Sequence, residues 1–114
     1  MTAARRALGA HGEGRAARWY EARGYTVLDR NWRCREGELD LVLARGRTVV
    51  FCEVKTRSST AYGTPAEAVT RTKQLRIRRL AMRWLDEHAA RAGSLRFDVA
   101  CVLGTSVEII ESAF

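Results

Sequence analysis

The stretch Gly37–Lys55 reads GELDLVLARGRTVVFCEVK, and it contains two alternating runs joined by a tight turn. The first run places a leucine at every second position from 39 to 43, which is the period of a half-buried strand. The Arg-Gly-Arg sequence at 45–47 marks a turn, and a second alternating run follows over 48–55. The stretch therefore predicts a β-hairpin.

The length of this turn decides which side chains face each other. If the loop consists of two residues, Asp40 lies directly opposite Glu53, and Lys55 shares their face one pleat further along. A three-residue loop would instead place Cys52 opposite Asp40. The sequence leaves both registers open, and only the first brings two carboxylates and a lysine together.

An Asp–Glu–Lys group of this kind suits the hydrolysis of phosphodiesters. Two carboxylates a few ångströms apart repel each other unless a cation lies between them. Oxygen ligands without Cys or His favour a hard ion, Mg²⁺ or Mn²⁺, which keeps positions for water and a substrate phosphate. Lys55 would orient or deprotonate that water and stabilise the developing negative charge. The alternative is a salt bridge between Glu53 and Lys55 on a solvated face.

Before the hairpin, the pattern predicts one helix and one strand. The helix runs from about Glu13 to Arg23 and is closed by Gly24. A strand begins at Tyr25–Leu28, and a polar connection follows over Asn31–Gly37. Glu13 shares a helix face with apolar residues. It is either a surface acid in the first turn, where the helix dipole favours a negative charge, or a residue of a functional site.

After the hairpin, the pattern predicts helices and then two strands. A capping box at 64–67 (Thr-Pro-Ala-Glu) starts a short helix, and Thr70 caps a longer one that ends near Arg91. Strands are predicted over Leu95–Leu103 and Val107–Ile110. The order predicts an α/β domain with a mixed central sheet, in which the crossover makes the third and fourth strands parallel. The apolar stripe of the long helix must dock on the sheet; it consists of Ile77, Leu80, Ala81, Trp84 and Leu85.

Length and composition exclude several classes of protein. The chain has 114 residues and a mass of 12.8 kDa, which fits a single domain over 1–114 with a loose N-terminus at 1–11. No apolar run reaches the ~20 residues of a membrane span, and no stretch resembles a signal peptide, so a cytoplasmic location is expected. Three widely spaced cysteines without a CxxC pair predict neither a disulfide scaffold nor a structural zinc site.

The basic residues point to a polyanionic partner. The net charge is +7, which favours nucleic acid through phosphate contacts, although a merely basic surface would have the same sign. Of the 20 basic residues only two are lysines, Lys55 and Lys73. Lysine, unlike arginine, can lose its proton and acts as a compact point charge. A lysine among so many arginines therefore indicates a position that needs this chemistry.

Several motifs in order resemble the YraN-like family of small bacterial proteins, which is similar to archaeal Holliday-junction resolvases. Asp40 followed by Glu53-Val54-Lys55 resembles the D…(D/E)xK signature of restriction-endonuclease-like nucleases. The Pro that often precedes the first Asp of that signature is replaced here by Leu39. The match covers nearly the whole chain beyond the first ten residues, and its motifs are Gly12-Glu13-Gly14-Arg15, Gly24-Tyr25, Asn31-Trp32-Arg33, Gly37-Glu38-Leu39-Asp40-Leu41, Phe51-Cys52-Glu53-Val54-Lys55-Thr56-Arg57 and Arg96-Phe97-Asp98-Val99.

The resemblance implies a restriction-endonuclease-like core and a catalytic site at Asp40, Glu53 and Lys55. It also implies an acid on the first helix, which falls on Glu13, so that Glu13, Asp40 and Glu53 would hold Mg²⁺ or Mn²⁺ directly or through water. A resolvase-like protein that acts on two strands is expected to be a homodimer.

Further residues are expected to contact nucleic acid. Arg76, Arg79 and Arg83 form a stripe on the long helix that either follows a phosphate backbone or is a solvated face, and Lys73 lies near the loop end of that helix. Arg57 and Tyr62 lie in the predicted loop 56–62, which follows Lys55. The leading hypothesis is a Mg²⁺-dependent endonuclease that hydrolyses DNA, branched DNA included. The alternatives are a catalytically silent nucleic-acid-binding module with the nuclease fold and a basic adaptor for a protein partner.

Overall fold

The computed structural model describes residues 3–57 and 69–114. The five strands of this part pair in chain order, all antiparallel except β3 and β4, which are parallel. The predicted crossover and the α/β fold class are thus confirmed. The elements are α1 (Ala3–Glu21), β1 (Thr26–Cys34), β2 (Gly37–Arg45), β3 (Thr48–Arg57), α2 (Arg71–Glu87), β4 (Ser94–Leu103) and β5 (Ser106–Ile110).

One helix covers each face of the sheet. The predicted apolar stripe of α2 is confirmed, because its residues join a core cluster with Phe51 and Phe97. On the other face, Ala16, Ala17 and Tyr20 of α1 are fully buried in a second cluster. Alternate residues of β3 enter the two clusters, so the strand that carries Glu53 is anchored from both sides.

The turn between β2 and β3 has the two-residue form. Arg45 pairs with Thr48, and Gly46 adopts a left-handed φ of 59°, which costs glycine little because it has no Cβ. The pairing continues in the predicted register as far as Leu41 and Cys52.

Pairing between β2 and β3 ends at that point, immediately before Asp40 and Glu53. Beyond it, β2 remains paired with β1, as Trp32 opposite Leu39 shows, whereas β3 remains paired with β4 through its whole length. The sheet is therefore continuous at one end and split at the other, and the two acids lie where the split begins.

The prediction that β2 is half-buried is wrong, because its residues 39–43 are buried on both faces. Leu41 and Leu43 pack on the α1 side, and Leu39 packs on the α2 side. The alternation therefore changes phase at Asp40, between Leu39 and Leu41. Helices cover both faces of a central strand here, which removes the polar–apolar alternation that a solvated face would impose.

Several element boundaries also differ from the prediction. α1 begins at Ala3, so the expected loose segment is helical from there, consistent with its alanines being strong helix formers. β1 continues to Cys34 because pairing with β2 holds the polar residues of the expected connection in the sheet. α2 ends at Glu87 rather than near Arg91, since Ala89 has a φ of 48°, outside the helical region.

At the C-terminal end of β3, Thr56 and Arg57 belong to the strand and not to the predicted loop, because they pair with β4. The capping box at 64–67 lies outside the described residues. Thr70 caps α2 as predicted, and its side chain accepts a hydrogen bond from the Lys73 amide. Neither described helix has the combination of length and apolar character that a membrane crossing requires.

Candidate active site

Asp40 lies at the split between β2 and β3 and reaches across it. Its Oδ2 accepts a hydrogen bond of 2.9 Å from the backbone N–H of Val54, a β3 residue beyond the last paired position. Only 9% of Asp40 is exposed. Burial raises the pKa of this carboxyl to about 8, and the nearby negative charge of Glu53 contributes in the same direction.

Glu53 is also buried, and one of its oxygens contacts both lysines of the chain. Its Oε1 lies 2.7 Å from Lys73 Nζ and 3.4 Å from Lys55 Nζ. Lys55 arrives from the same strand, two residues on, as the predicted face requires. Lys73 arrives from the first turn of α2, which Thr70 holds in place. The sequence analysis predicted that Lys73 lies near the substrate. The structure places its ammonium group against Glu53, within the group formed by Asp40, Glu53, Lys55 and Lys73, which we call the acidic cluster.

The two ammonium groups are in different electrostatic situations. Burial lowers the pKa of Lys55, and the neighbouring Lys73 lowers it further. Burial also acts to lower the pKa of Lys73, but the hydrogen bond and charge of Glu53 more than offset it, so that this pKa is raised. Lys55 is therefore the group that releases its proton more readily, and Lys73 is the more permanent cation.

Glu13 faces the same cluster from α1. Burial raises the pKa of this carboxyl, a hydrogen bond with Asn31 opposes the shift, and the charges of Glu38 and Glu53 add to it. The helix approaches closely here, because a Cβ on Gly12 would lie 1.7 Å from Thr56 Oγ1. The structure thus brings Glu13 into the field of the strand acids.

The donor set fits a hard divalent cation. Asp40 and Glu53 would supply carboxylate oxygens, and a bound cation would favour the ionised form of Asp40, whose pKa is raised to about 8 without one. Within residues 3–57 and 69–114, no three His, Cys, Asp or Glu side chains form a ready metal-binding group. Mg²⁺ commonly takes only one or two carboxylates and keeps water and substrate phosphate as its other ligands. Asp40 and Glu53 would be the direct ligands, with Glu13 one step removed.

Asn31 was missed as a site residue by the sequence analysis. The β1–β2 register brackets it opposite Asp40, since Arg30 pairs with Leu41 and Trp32 with Leu39. Its φ of 49° is left-handed, a conformation that asparagine tolerates better than most residues. The signal available in the sequence was an asparagine in the predicted connection, and only the strand pairing reveals what it faces.

Asp98 is a completely buried acid to which the sequence analysis gave no role. It accepts hydrogen bonds from Tyr20 Oη at 2.6 Å, from the backbone N–H of Ser112 at 3.1 Å and from Arg96 through two nitrogens, both at 2.9 Å. These bonds join α1, β4 and the C-terminal residues. A buried carboxylate with this many donors is satisfied in place, so its role is structural.

The predicted arginine stripe lines a groove. Arg76, Arg79 and Arg83 surround it together with Leu80 and Glu36. Arg83 forms ion pairs with Glu36 and with a glutamate one turn further along α2. In the part of the chain that is described, no carboxylate pairs with Arg76 or Arg79, so these two guanidinium groups are available to an anion.

Arg57 and Tyr62 are the remaining residues that were predicted to contact nucleic acid. Arg57 is the last residue of β3, and its Nε is buried without a hydrogen-bond partner among the described residues. Tyr62 lies outside the described residues. The contribution of both to nucleic-acid binding remains a prediction.

The protein is therefore an α/β protein with a five-stranded mixed sheet and one helix on each face. This architecture, with two acids where β2 and β3 separate, is compatible with a nuclease-like core. Residues 12–102 match the model of a family described as "Uncharacterised protein family UPF0102". The chain belongs to this family, which confirms the YraN-like resemblance.

Relatives match over nearly the whole chain. A UPF0102 protein of Beutenbergia cavernae is 61% identical over 102 residues, which cover 90% of this chain and 86% of the relative. A UPF0102 protein of Frankia casuarinae is 57% identical over 116 residues, which cover 97% of this chain and 98% of the relative. A UPF0102 protein of Rhodococcus opacus is 55% identical, with coverage of 85% and 82%.

Proposed function

We propose that this protein is an endonuclease that depends on Mg²⁺ or Mn²⁺ and hydrolyses phosphodiester bonds in DNA. The observation that supports the proposal best is the meeting of Asp40, Glu53, Lys55 and Lys73 where β2 and β3 separate. Two buried carboxylates side by side offer oxygen ligands to a divalent cation, and two lysines in one place suit a reacting phosphate.

Each residue has a role that follows from its surroundings. Asp40 and Glu53 hold the cation, which when bound acidifies water and neutralises charge on a phosphate. Lys55, whose pKa burial lowers, accepts a proton from the attacking water or positions it. Lys73 keeps its charge and stabilises the phosphate oxygens in the transition state. Glu13, which lies in the field of Glu53 and whose pKa is raised by burial, holds a water at the edge of the site.

The groove on α2 gives the substrate a direction. Lys73, Arg76, Arg79 and Arg83 follow one another at spacings of three or four residues, so they lie on neighbouring turns over about 15 Å. A strand whose phosphate is at Glu53 would continue along these cations. Double-strand cleavage would require two such sites, and a homodimer would provide them.

The test is cation-dependent cleavage of labelled linear and branched DNA. Wild type is expected to cleave with Mg²⁺ or Mn²⁺. Lys55→Met is expected to lose at least 100-fold in rate, the usual size of a general acid–base contribution, and Glu53→Gln, which removes a ligand of the cation, is expected to lose at least as much. Glu21→Gln is the matched control, because Glu21 is an exposed acid on α1. Equal cleavage by Glu53→Gln and the control would contradict the proposal.

A second candidate function is a nucleic-acid-binding module without turnover. It is favoured by one specific observation, namely that Lys55 and Lys73 already neutralise Glu53 without a cation. For this function, wild type would bind DNA in a salt-dependent way but cleave none with any divalent cation, and Glu53→Gln would bind as well as wild type.

A further inference from the structure

A second cationic groove lies outside the acidic cluster, between α1 and the β4–β5 hairpin. Its lining contains three arginines, Arg15, Arg18 and Arg23, together with Trp19, Thr105 and Val107. None of these residues is acidic. Glu108 follows Val107 in β5, and because side chains alternate along a strand it faces the other side of the sheet.

Two guanidinium groups of this groove have no acidic partner among residues 3–57 and 69–114. Within the described residues, neither Arg15 nor Arg18 pairs with a carboxylate. Arg15 Nε is in addition buried with no hydrogen-bond partner there, which is costly for a polar group unless a ligand or an ordered water supplies the acceptor. Arg18 lies back over Gly14, since a Cβ on that residue would be 3.4 Å from its Nη1.

The third arginine is held against an aromatic ring. The guanidinium carbon of Arg23 lies 3.7 Å from the centre of the Trp19 ring, and Arg23 also donates a 2.9 Å hydrogen bond to the Trp19 carbonyl. Trp19 is partly exposed and packs against the core cluster on the α1 side. An arginine over a partly exposed indole, within a positively charged groove, combines the cationic and aromatic groups that nucleic-acid-binding surfaces use.

We propose that this groove binds the phosphodiester backbone of nucleic acid as a contact separate from the α2 groove. Arg15 and Arg18 are about 4.5 Å apart along the axis of α1, Arg23 lies in the turn just after that helix ends at Glu21, and neighbouring cations of this kind suit successive phosphates of a backbone. The groove includes Thr105, beside the end of β4 that pairs with the end of β3. A strand leaving the acidic cluster across α1 would therefore meet it.

The proposal rests on the proposed function only for the identity of the ligand. The experiment measures anisotropy of a fluorescent DNA duplex in EDTA, so that no cleavage occurs, from about 50 to 200 mM KCl. Arg15→Gln/Arg18→Gln is expected to bind at least tenfold more weakly than wild type and to reduce the slope of log K against log salt by about 2, or 0.9 per lost contact. Arg18→Gln alone, at an exposed position, serves if the double variant does not fold.

The matched control is Arg47→Gln/Arg91→Gln, which removes the same charge from two exposed positions. If the two double variants bind DNA with equal affinity and with the same salt dependence, the proposal that this groove binds nucleic acid is wrong, even if wild type cleaves DNA. A loss of DNA affinity in Arg15→Gln/Arg18→Gln but not in the control would support binding by the groove, even if no divalent cation supports cleavage. Absence of any binding by wild type would overturn it outright.

Discussion

The two lysines of the chain meet on one oxygen, Glu53 Oε1, and Lys73 is the nearer at 2.7 Å. The Lys73 ammonium group thus lies where a divalent cation bound to Glu53 would lie, and it neutralises the same carboxylate. Competition between an ammonium group and a metal for one carboxylate lowers the apparent metal affinity, as any competing ligand does.

Lys73→Met is therefore expected to bind Mn²⁺ more tightly than wild type, by an amount on the order of tenfold, or about 1.4 kcal/mol. The measurement is titration calorimetry with the metal alone. Arg76→Met is the control, because Arg76 lies on the same helix and does not contact Glu53. Unchanged or weaker Mn²⁺ binding by Lys73→Met would show that the lysine does not compete.

Asp40 gives a second prediction, on stability. Because its pKa is raised to about 8, the folded state resists ionisation, and the stability this acid contributes at low pH is lost as the pH rises through that value. Asp40→Asn can keep the bond to Val54 without the charge. In EDTA above pH 8 it should be more stable than wild type by at least about 1.4 kcal/mol, the worth of one pKa unit.

Denaturant unfolding between pH 5 and pH 9 checks this, and the difference should shrink toward pH 5. Mn²⁺ should raise the melting temperature of wild type but not of Asp40→Asn. If the variant is less stable at every pH, repulsion around Asp40 is not a significant cost to the fold.

At this scale the sequence identifies the residues that are chemically unusual. Asp40, Glu53 and Lys55 follow from the hairpin pattern, because strand pairing is local and its register depends on one short turn. The position of Asn31 depends on the pairing of β1 with β2, and the contact of Lys73 with Glu53 depends on how α2 meets β3. Nothing in the neighbouring sequence encodes that meeting, so they could not be derived from it.

Among the elements, α1 depends on a glycine for its approach to the sheet. A Cβ on Gly12 would overlap Thr56 Oγ1, whereas one on Gly9 would meet nothing within 4 Å. Gly12→Ala should lower the free energy of unfolding by about 1–3 kcal/mol, as overpacking does, and should reduce cleavage by moving Glu13. Gly9→Ala, the control, should gain up to ~1 kcal/mol from helix propensity. Equal effects of the two substitutions on unfolding would refute the close packing.

Tyr20 ties α1 to β4 through its 2.6 Å hydrogen bond to Asp98. Tyr20→Phe should cost about 1.5–3 kcal/mol, because the bond involves a charged, fully buried acceptor. Tyr25→Phe is the comparison, and it should cost less, because Arg96 keeps its two bonds to Asp98. Urea unfolding distinguishes them, and a smaller loss in Tyr20→Phe would count against this link.

Element order was predictable from the sequence, whereas several boundaries were not. The 3.6-residue stripe of α2 and the turn at Gly46 are local signals, and both were confirmed. The length of β1 results from its pairing with the next strand, β2, and the double burial of β2 results from the helices on the two faces of the sheet. Tertiary pairing therefore extended β1 into a stretch with polar composition.

For the molecule as a whole, burial distinguishes Cys52 from the other two free cysteines, Cys34 and Cys101, which are both partly exposed. Cys52 lies in the core under α1, and burial raises the pKa of its thiol well above the usual range; burial also raises the pKa of Cys101, which is partly exposed. A thiol reagent should therefore modify Cys101 in the native protein and Cys52 only through global unfolding. Comparable rates for both thiols, read by mass spectrometry, would indicate local opening of the α1 layer instead.

The Val54 amide has an unusual place in the split sheet, because a side chain and not a neighbouring strand satisfies it. Its exchange with deuterated water should consequently respond to the orientation of the Asp40 carboxylate. A single backbone proton would thus report by NMR whether that carboxylate faces the chain or a bound ion, without any label in the site.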